Sequence, residues 1–118
     1  QDKGVRIDWD GEQTRDYVYV ADVARANLEA LERGSGDCYV IGTGLRTSVN
    51  DIYRALVSLT GYDAPITHAP QRTGDARDAQ FDSSRAAAEL GWRPSTALAD
   101  GIRQTYDYFQ KNPPARVA

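Results

Sequence analysis

Apolar side chains recur along this chain with two periods. Helical spacing runs through Val20, Val23, Ala24, Leu28 and Leu31, with Asn27 the one polar member. It returns at Val49, Ile52, Tyr53, Leu56 and Leu59, and again at Ile102, Thr105, Tyr106 and Phe109. The first pattern stops at Gly34-Ser35-Gly36, the second at Gly61 and the last at Asn112-Pro113-Pro114. Asp22 reads as the N-cap of the first helix. Ser48 reads as that of the second, with Asp51 completing a weak capping box. Asp82 or Ser83 caps a further short helix, closed by Gly91 with Trp92 packing back on it. Between the helices lie short strand-like runs: Val5–Ile7, the aromatic and β-branched Tyr17–Val20, the nearly continuous Cys38–Ile41 and Pro65–Ala69. The order predicts an α/β (mixed α+β) fold of short strands and about four helices, with a disordered tail over Ala115–Ala118.

At 118 residues, 41% hydrophobic and 26% charged, the chain has room for one domain and a modest core. No apolar run approaches the roughly 20 residues of a membrane span, and no secretory signal pattern opens the chain. The net charge of −3 argues against a general nucleic-acid binder. A cytoplasmic protein with no membrane or nucleic-acid partner is therefore expected. The single Cys38 is expected to be a buried small hydrophobe, and no disulfide or metal framework can be built on it. The sole histidine, His68, is read as structural or exposed. The chain opens without methionine, in what reads as the middle of a strand, and is expected to be a piece of a longer protein.

Two stretches carry chemistry. In Asp10–Val23 (DGEQTRDYVYVADV), a tight-turn Asp-Gly pair precedes Arg15-Asp16 at the mouth of a strand. Guanidinium grips phosphate with a planar fork, so Arg15 suits an anion; pairing with Asp16 or another carboxylate is the simpler alternative. In Arg72–Arg93 (RTGDARDAQFDSSRAAAELGWR), Arg72 could supply a second fork. Asp75 there could accept hydrogen bonds from vicinal hydroxyls such as those of ribose. A solvated charged loop is the alternative for this stretch.

Both stretches, in this order, resemble the signatures of the extended short-chain dehydrogenase/reductases, the NAD-dependent epimerases and dehydratases of nucleotide sugars. The resemblance rests on DG-x-QTRD-Y-V-Y-V-x-DVA and on R-x-GD followed by D-x-S-R-A-x-x-x-LGW-x-P, and it covers Val5 to Gln110. One departure stands out, Trp9 where the family usually has glycine. The resemblance implies that Arg15 and Arg72 contact the diphosphate of a UDP- or dTDP-sugar, that Tyr17 lies near the ribose or base, and that Asp75 accepts the ribose hydroxyls. Arg77 is near enough to help. The family's 4-epimerases interconvert UDP-glucose and UDP-galactose through a 4-keto intermediate, with NAD and a tyrosine base paired to a lysine four residues on.

That pair is missing, since the only lysines are Lys3 and Lys111. The Gly-rich dinucleotide turn is also missing: Gly42-Thr43-Gly44 has Thr47 where the third glycine belongs. Residues 1–118 are thus expected to form a single C-terminal substrate-binding region, the N-terminal NAD-binding Rossmann domain being absent. Catalytic, cofactor-binding and metal residues are expected to be none. Cys38–Ile41 is expected to complete the edge of the dinucleotide-binding sheet, and the full enzyme to be a homodimer. Alone, the chain is expected to be inactive and to associate through the apolar face meant for the missing domain. A sister dehydratase or decarboxylase, and a non-catalytic nucleotide-diphosphate or interaction module, remain open alternatives.

Overall fold

The computed structural model describes residues 4–115; the expected disorder of Ala115–Ala118 lies, beyond Ala115, outside them. In chain order the elements are β1 (Val5–Asp8), β2 (Thr14–Arg15), α1 (Val20–Arg33), β3 (Thr47–Ser48), α2 (Val49–Thr60), β4 (Ile66–Ala69), α3 (Ser84–Leu90) and α4 (Leu98–Lys111). β1 pairs in parallel with β4, Val5 opposite Ile66 through Asp8 opposite Ala69. β2 pairs antiparallel with β3, Thr14 opposite Ser48 and Arg15 opposite Thr47. The mixed architecture, with short strands and four helices, is the expected one.

Local chemistry explains most of these boundaries. The Ser48 hydroxyl accepts from Asp51 N at 3.0 Å while the Asp51 carboxylate accepts from Ser48 N, so the capping box at α2 is complete. Gly61 and Gly91 close α2 and α3 in the left-handed conformation. The turn after β1 needs that conformation twice. Gly11 has φ 77°, and Trp9 has φ 65°, where a side chain is strained and glycine is not. Trp9 is held there from three sides. Its N–H donates to Ala69 O, its carbonyl oxygen lies 2.8 Å from His68 Nδ1, and Arg77 stacks 4.6 Å above its ring. The residue that departs from the family pattern thus adopts the backbone geometry that favours glycine.

The core is small. Trp92 and Leu90 are fully buried with Ala26 and Ala86, and Val18, Ala30, Tyr39 and Ile41 pack against them. Trp92 Nε1 donates to Asp22 O at 2.8 Å, tying the end of α3 to the start of α1.

Three expectations are overturned here. Tyr17–Val20 is not a strand: no strand pairs with it among the described residues, Tyr19 is the extended N-cap of α1 and Val20 its first helical residue. Asp22 is not the cap. It lies in the first turn, only 3% exposed, because its carboxylate accepts from Ser95 N, Ser95 Oγ and Thr96 N. Cys38–Ile41 forms no strand either, and Cys38 is exposed. Only alternate residues of that segment, Tyr39 and Ile41, reach the core, so Cys38 points the other way.

The apolar stripe predicted for α1 is likewise not core. Val20 is 71% exposed and Leu31 84%, and the helix packs instead through Ala26 and Ala30. Tyr17, Val20, Leu56, Leu98, Tyr108 and Phe109 line an apolar groove of about 760 Å³ between the 17–20 segment, α2 and α4. The accessible surface is 8511 Å², against about 6,300 Å² for a self-contained monomer of this mass.

Two outcomes follow. Trp92→Ala is expected to cost about 3–5 kcal/mol in denaturant unfolding, and Trp92→Phe about 1–3 kcal/mol, since the latter keeps an aromatic ring but loses volume and the indole N–H bond to Asp22 O. The chain by itself is expected to self-associate and to bind an apolar dye; sedimentation showing a dye-silent monomer would count against this.

Candidate functional site

Of the four residues singled out from the sequence, Arg15 and Asp75 meet, at the junction of β2 with the loop between β4 and α3; Arg72 begins that loop, and Tyr17 lies elsewhere, in the apolar groove. The loop runs beside β2 almost as another strand. Thr14 N donates to Arg77 O at 2.9 Å, Ala79 N to Thr14 O at 3.1 Å, and Thr14 Oγ1 to Asp78 Oδ1 at 2.7 Å. Arg15 continues the contact: its Nη1 donates to Ala76 O at 2.9 Å and its Nη2 lies 3.7 Å from the Asp75 carboxylate. Arg15 and Asp75 are therefore brought together from distant parts of the chain.

Arg72 stands at the start of the same loop. Its carbonyl accepts from Asp75 N at 3.1 Å, and its exposed guanidinium pairs with Asp8 at the end of β1. Arg77 Nη1 donates to both oxygens of Asp10, and the Glu12 N–H, with Arg77 second, holds that carboxyl below its usual range. Tyr17 behaves differently: it lines the apolar groove, where burial pushes its phenol up against the opposing charge of Arg15. Of the two pairings named for Arg15 from the sequence, with Asp16 or with another carboxylate, the second is the one formed. Its partner is Asp75, because Asp16 is otherwise engaged.

Asp16 is the residue that sequence reasoning passed over. Its carboxylate accepts from Thr43 N at 2.9 Å, Thr43 Oγ1 at 2.6 Å, Gly44 N at 2.8 Å and Phe81 N at 3.2 Å. Burial opposes its charge, but these donors outweigh burial and hold the carboxyl below the usual 3.8. Asp22 follows the same rule: burial raises, while Ser95, Thr96 and Arg25 together lower. Around Asp16 the backbone is close-packed, since a Cβ on Gly42 would sit 2.8 Å from Phe81 Cβ and 2.9 Å from Asp16 Oδ2. Gln80 adds a second tie, donating to Gly44 O and accepting from Arg46 Nε. A signal was available in the sequence, a carboxylate beside the key arginine and a Gly-Thr-Gly turn elsewhere, but nothing in it joins the two.

This geometry also tests the dinucleotide. The Gly42–Gly44 turn has two glycines of the kind that could cradle a pyrophosphate, yet the N–H groups of Thr43 and Gly44 are directed at Asp16, and no third glycine follows. These residues do not fit NAD. Among the described residues no group of three or more His, Cys, Asp or Glu could hold a metal ion, and no helix is long and apolar enough to cross a membrane.

Gly42→Ala is expected to destabilise the fold by about 1–3 kcal/mol through this overpacking, measured by thermal unfolding. Asp16 and Asp22 have depressed folded-state values. Their stabilisation is complete above the ordinary 3.8 and is lost as pH falls through the lower folded values. Asp16→Asn and Asp22→Asn should therefore flatten the acid limb of stability below about pH 4 in a circular-dichroism titration; an unchanged limb would contradict the assignment.

A family model described as GDP-mannose 4,6 dehydratase matches residues 5–105. A UDP-glucose 4-epimerase of Mycolicibacterium smegmatis is 41% identical over 107 residues, which cover 89% of this chain and 34% of that protein. A putative UDP-glucose 4-epimerase of Methanocaldococcus jannaschii is 37% identical over 87% of the chain and 33% of its own length. Among solved structures, the UDP-glucose 4-epimerase of Thermotoga maritima with UDP-glucose superposes with a TM-score of 0.89 at 44% identity, covering 94% of this chain and 36% of that one. The UDP-glucuronic acid 4-epimerase of Bacillus cereus, in complex with UDP-glucuronic acid and NAD, gives 0.87 at 32% identity, covering 94% and 36%. The chain thus spans about a third of the length of these relatives and matches their C-terminal part. With the two motif stretches, the fold and the family model in agreement, the chain belongs to the GDP-mannose 4,6-dehydratase family of NAD-dependent nucleotide-sugar epimerases and dehydratases.

Proposed function

We propose that this chain is the nucleotide-sugar-binding part of a UDP-glucose 4-epimerase-like enzyme, with Arg15 and Arg72 gripping the diphosphate. The observation that carries this reading is the junction of β2 with the 72–79 loop, where Arg15 meets Asp75 at 3.7 Å and Arg72 begins the same loop. Likeness to epimerases solved with UDP-glucose and UDP-glucuronic acid supports it. When a diphosphate enters, the two guanidinium groups exchange their carboxylate partners, Asp75 and Asp8, for phosphate oxygens. Bidentate charge-assisted bonds then fix the nucleotide while the sugar moves. Release from Arg15 leaves the Asp75 carboxylate free to accept the ribose hydroxyls. Tyr17, at the rim of the apolar groove, offers its ring to the ribose or base.

In this reading NAD and the tyrosine base belong to the rest of a family-length protein, since the residues present do not fit the dinucleotide. The chain by itself then turns over no UDP-galactose. A 4,6-dehydratase would use the same diphosphate site, and the description of the matching family model keeps that reaction as the second reading. Full-length protein offered a panel of UDP-, dTDP- and GDP-sugars separates the two by product.

Binding itself is tested by titration calorimetry with UDP. Arg15→Lys and Arg72→Lys are each expected to weaken UDP about tenfold, because lysine keeps the charge but loses the fork. A folded chain that ignores millimolar UDP, or lysine variants that bind as the native chain does, would overturn the assignment.

A further inference from the structure

We propose that Asp16 is the positioning residue of this site: it holds Arg15 and the 72–79 loop in register without touching the ligand. The proposal rests on the diphosphate reading above for its purpose, but its geometry stands independently. Arg15 and Tyr17 flank Asp16 directly, so whatever fixes its carboxylate fixes the end of β2. Three backbone N–H groups and one hydroxyl converge on that carboxylate, from Thr43, Gly44 and Phe81. Phe81 closes the far end of the loop that carries Arg72 and Asp75. One side chain therefore joins both arms of the site to a third segment, Gly42–Gly44. Those glycines allow the approach, since a Cβ on Gly42 would collide with both Asp16 and Phe81.

Only a carboxylate suits the place. It offers acceptors in every direction, whereas an amide would turn an NH2 donor toward N–H donors. Cross-ties on the same segments strengthen the arrangement: Ser83 Oγ donates to Gly42 O at 2.7 Å, and Gln80 Nε2 donates to Gly44 O. Asp22 supplies the internal comparison. It bears a similar load of donors, from Ser95 and Thr96, but serves the core around Trp92 and touches no part of the proposed site.

The experiment compares Asp16→Asn, Asp22→Asn and the milder Thr43→Val, with two readouts: UDP affinity by calorimetry, and amide hydrogen exchange at Thr14 and Ala79. Those two amides bond β2 to the loop and make no contact with Asp16. Asp16→Asn is expected to weaken UDP about tenfold to a hundredfold and to speed exchange at Thr14 and Ala79 by a similar factor. Thr43→Val should do the same to a smaller extent, and it carries the test if Asp16→Asn does not fold. Asp22→Asn should lower the melting temperature while leaving both readouts unchanged. If Asp16→Asn or Thr43→Val lowers the melting temperature but leaves Thr14 and Ala79 protected, the proposal is overturned. Should the native chain bind no UDP, the diphosphate reading falls, and the exchange data still decide the role of Asp16.

Discussion

Two buried or half-buried carboxylates in one short stretch, Asp16 and Asp22, hold this molecule together where its apolar core does not. The fully buried hydrophobic set is small, centred on Trp92 and Leu90, and most of the long apolar side chains on α1 and α4 face outward. A chain with so little core must fasten its loops by other means. Backbone N–H groups donating to a carboxylate are strong, directional and short in reach, and each such carboxylate joins segments far apart in sequence. Asp22 fastens the start of α1 to the 95–96 segment before α4. Asp16 fastens the end of β2 to the 42–44 turn and to Phe81.

The two fasteners divide the molecule by task. Around Asp22 lie Trp92, with its indole N–H on Asp22 O, and the guanidinium of Arg25, 5.7 Å from the indole ring centre. That half is structural. On the other side, next to Asp16 in sequence, Arg15 pairs with Asp75, while Arg72 pairs with Asp8 and Arg77 with Asp10. In the proposed reading an incoming diphosphate displaces these carboxylates from the guanidinium forks of Arg15 and Arg72. The Gly42-Thr43-Gly44 turn looks like half of a dinucleotide fingerprint. The N–H groups of Thr43 and Gly44 point at Asp16.

The outward apolar groove between α2, α4 and the 17–20 segment fits the same picture. Relatives are about three times longer than this chain, and a surface some 2,000 Å² larger than a self-contained monomer of this size presents is what a part of a larger assembly would show. The α4 face read from spacing, Ile102, Thr105, Tyr106 and Phe109, is only partly covered: Ile102 is half-buried and Phe109 exposed. Tyr106 is half-buried in the groove, and Tyr108 and Phe109 line it while remaining exposed.

Local chemistry wrote a good deal of this structure into the sequence. Ser48 with Asp51, Gly61, Gly91 with Trp92, and the helical spacing of α2 and α4 act through neighbours within one turn, so their outcome needs no knowledge of the fold. The family motifs were equally legible, because they are runs of residues read in order. The failures all involve partners distant in sequence. Tyr17–Val20 and Cys38–Ile41 have strand-like residues, yet a strand exists only where another strand lies beside it. Asp22 has the chemistry of a cap, but Ser95 and Thr96 compete for its carboxylate and win it for the interior. The spacing of α1 marks a face without saying whether anything covers it. Arg15 could have paired with its neighbour; only the folded chain sends Asp16 to Thr43, Gly44 and Phe81 and leaves the arginine for Asp75. Sequence alone settled which groups could act. Tertiary structure decided which of them meet, because a hydrogen bond or ion pair is made by proximity in space, and proximity between distant residues is a property of the whole fold.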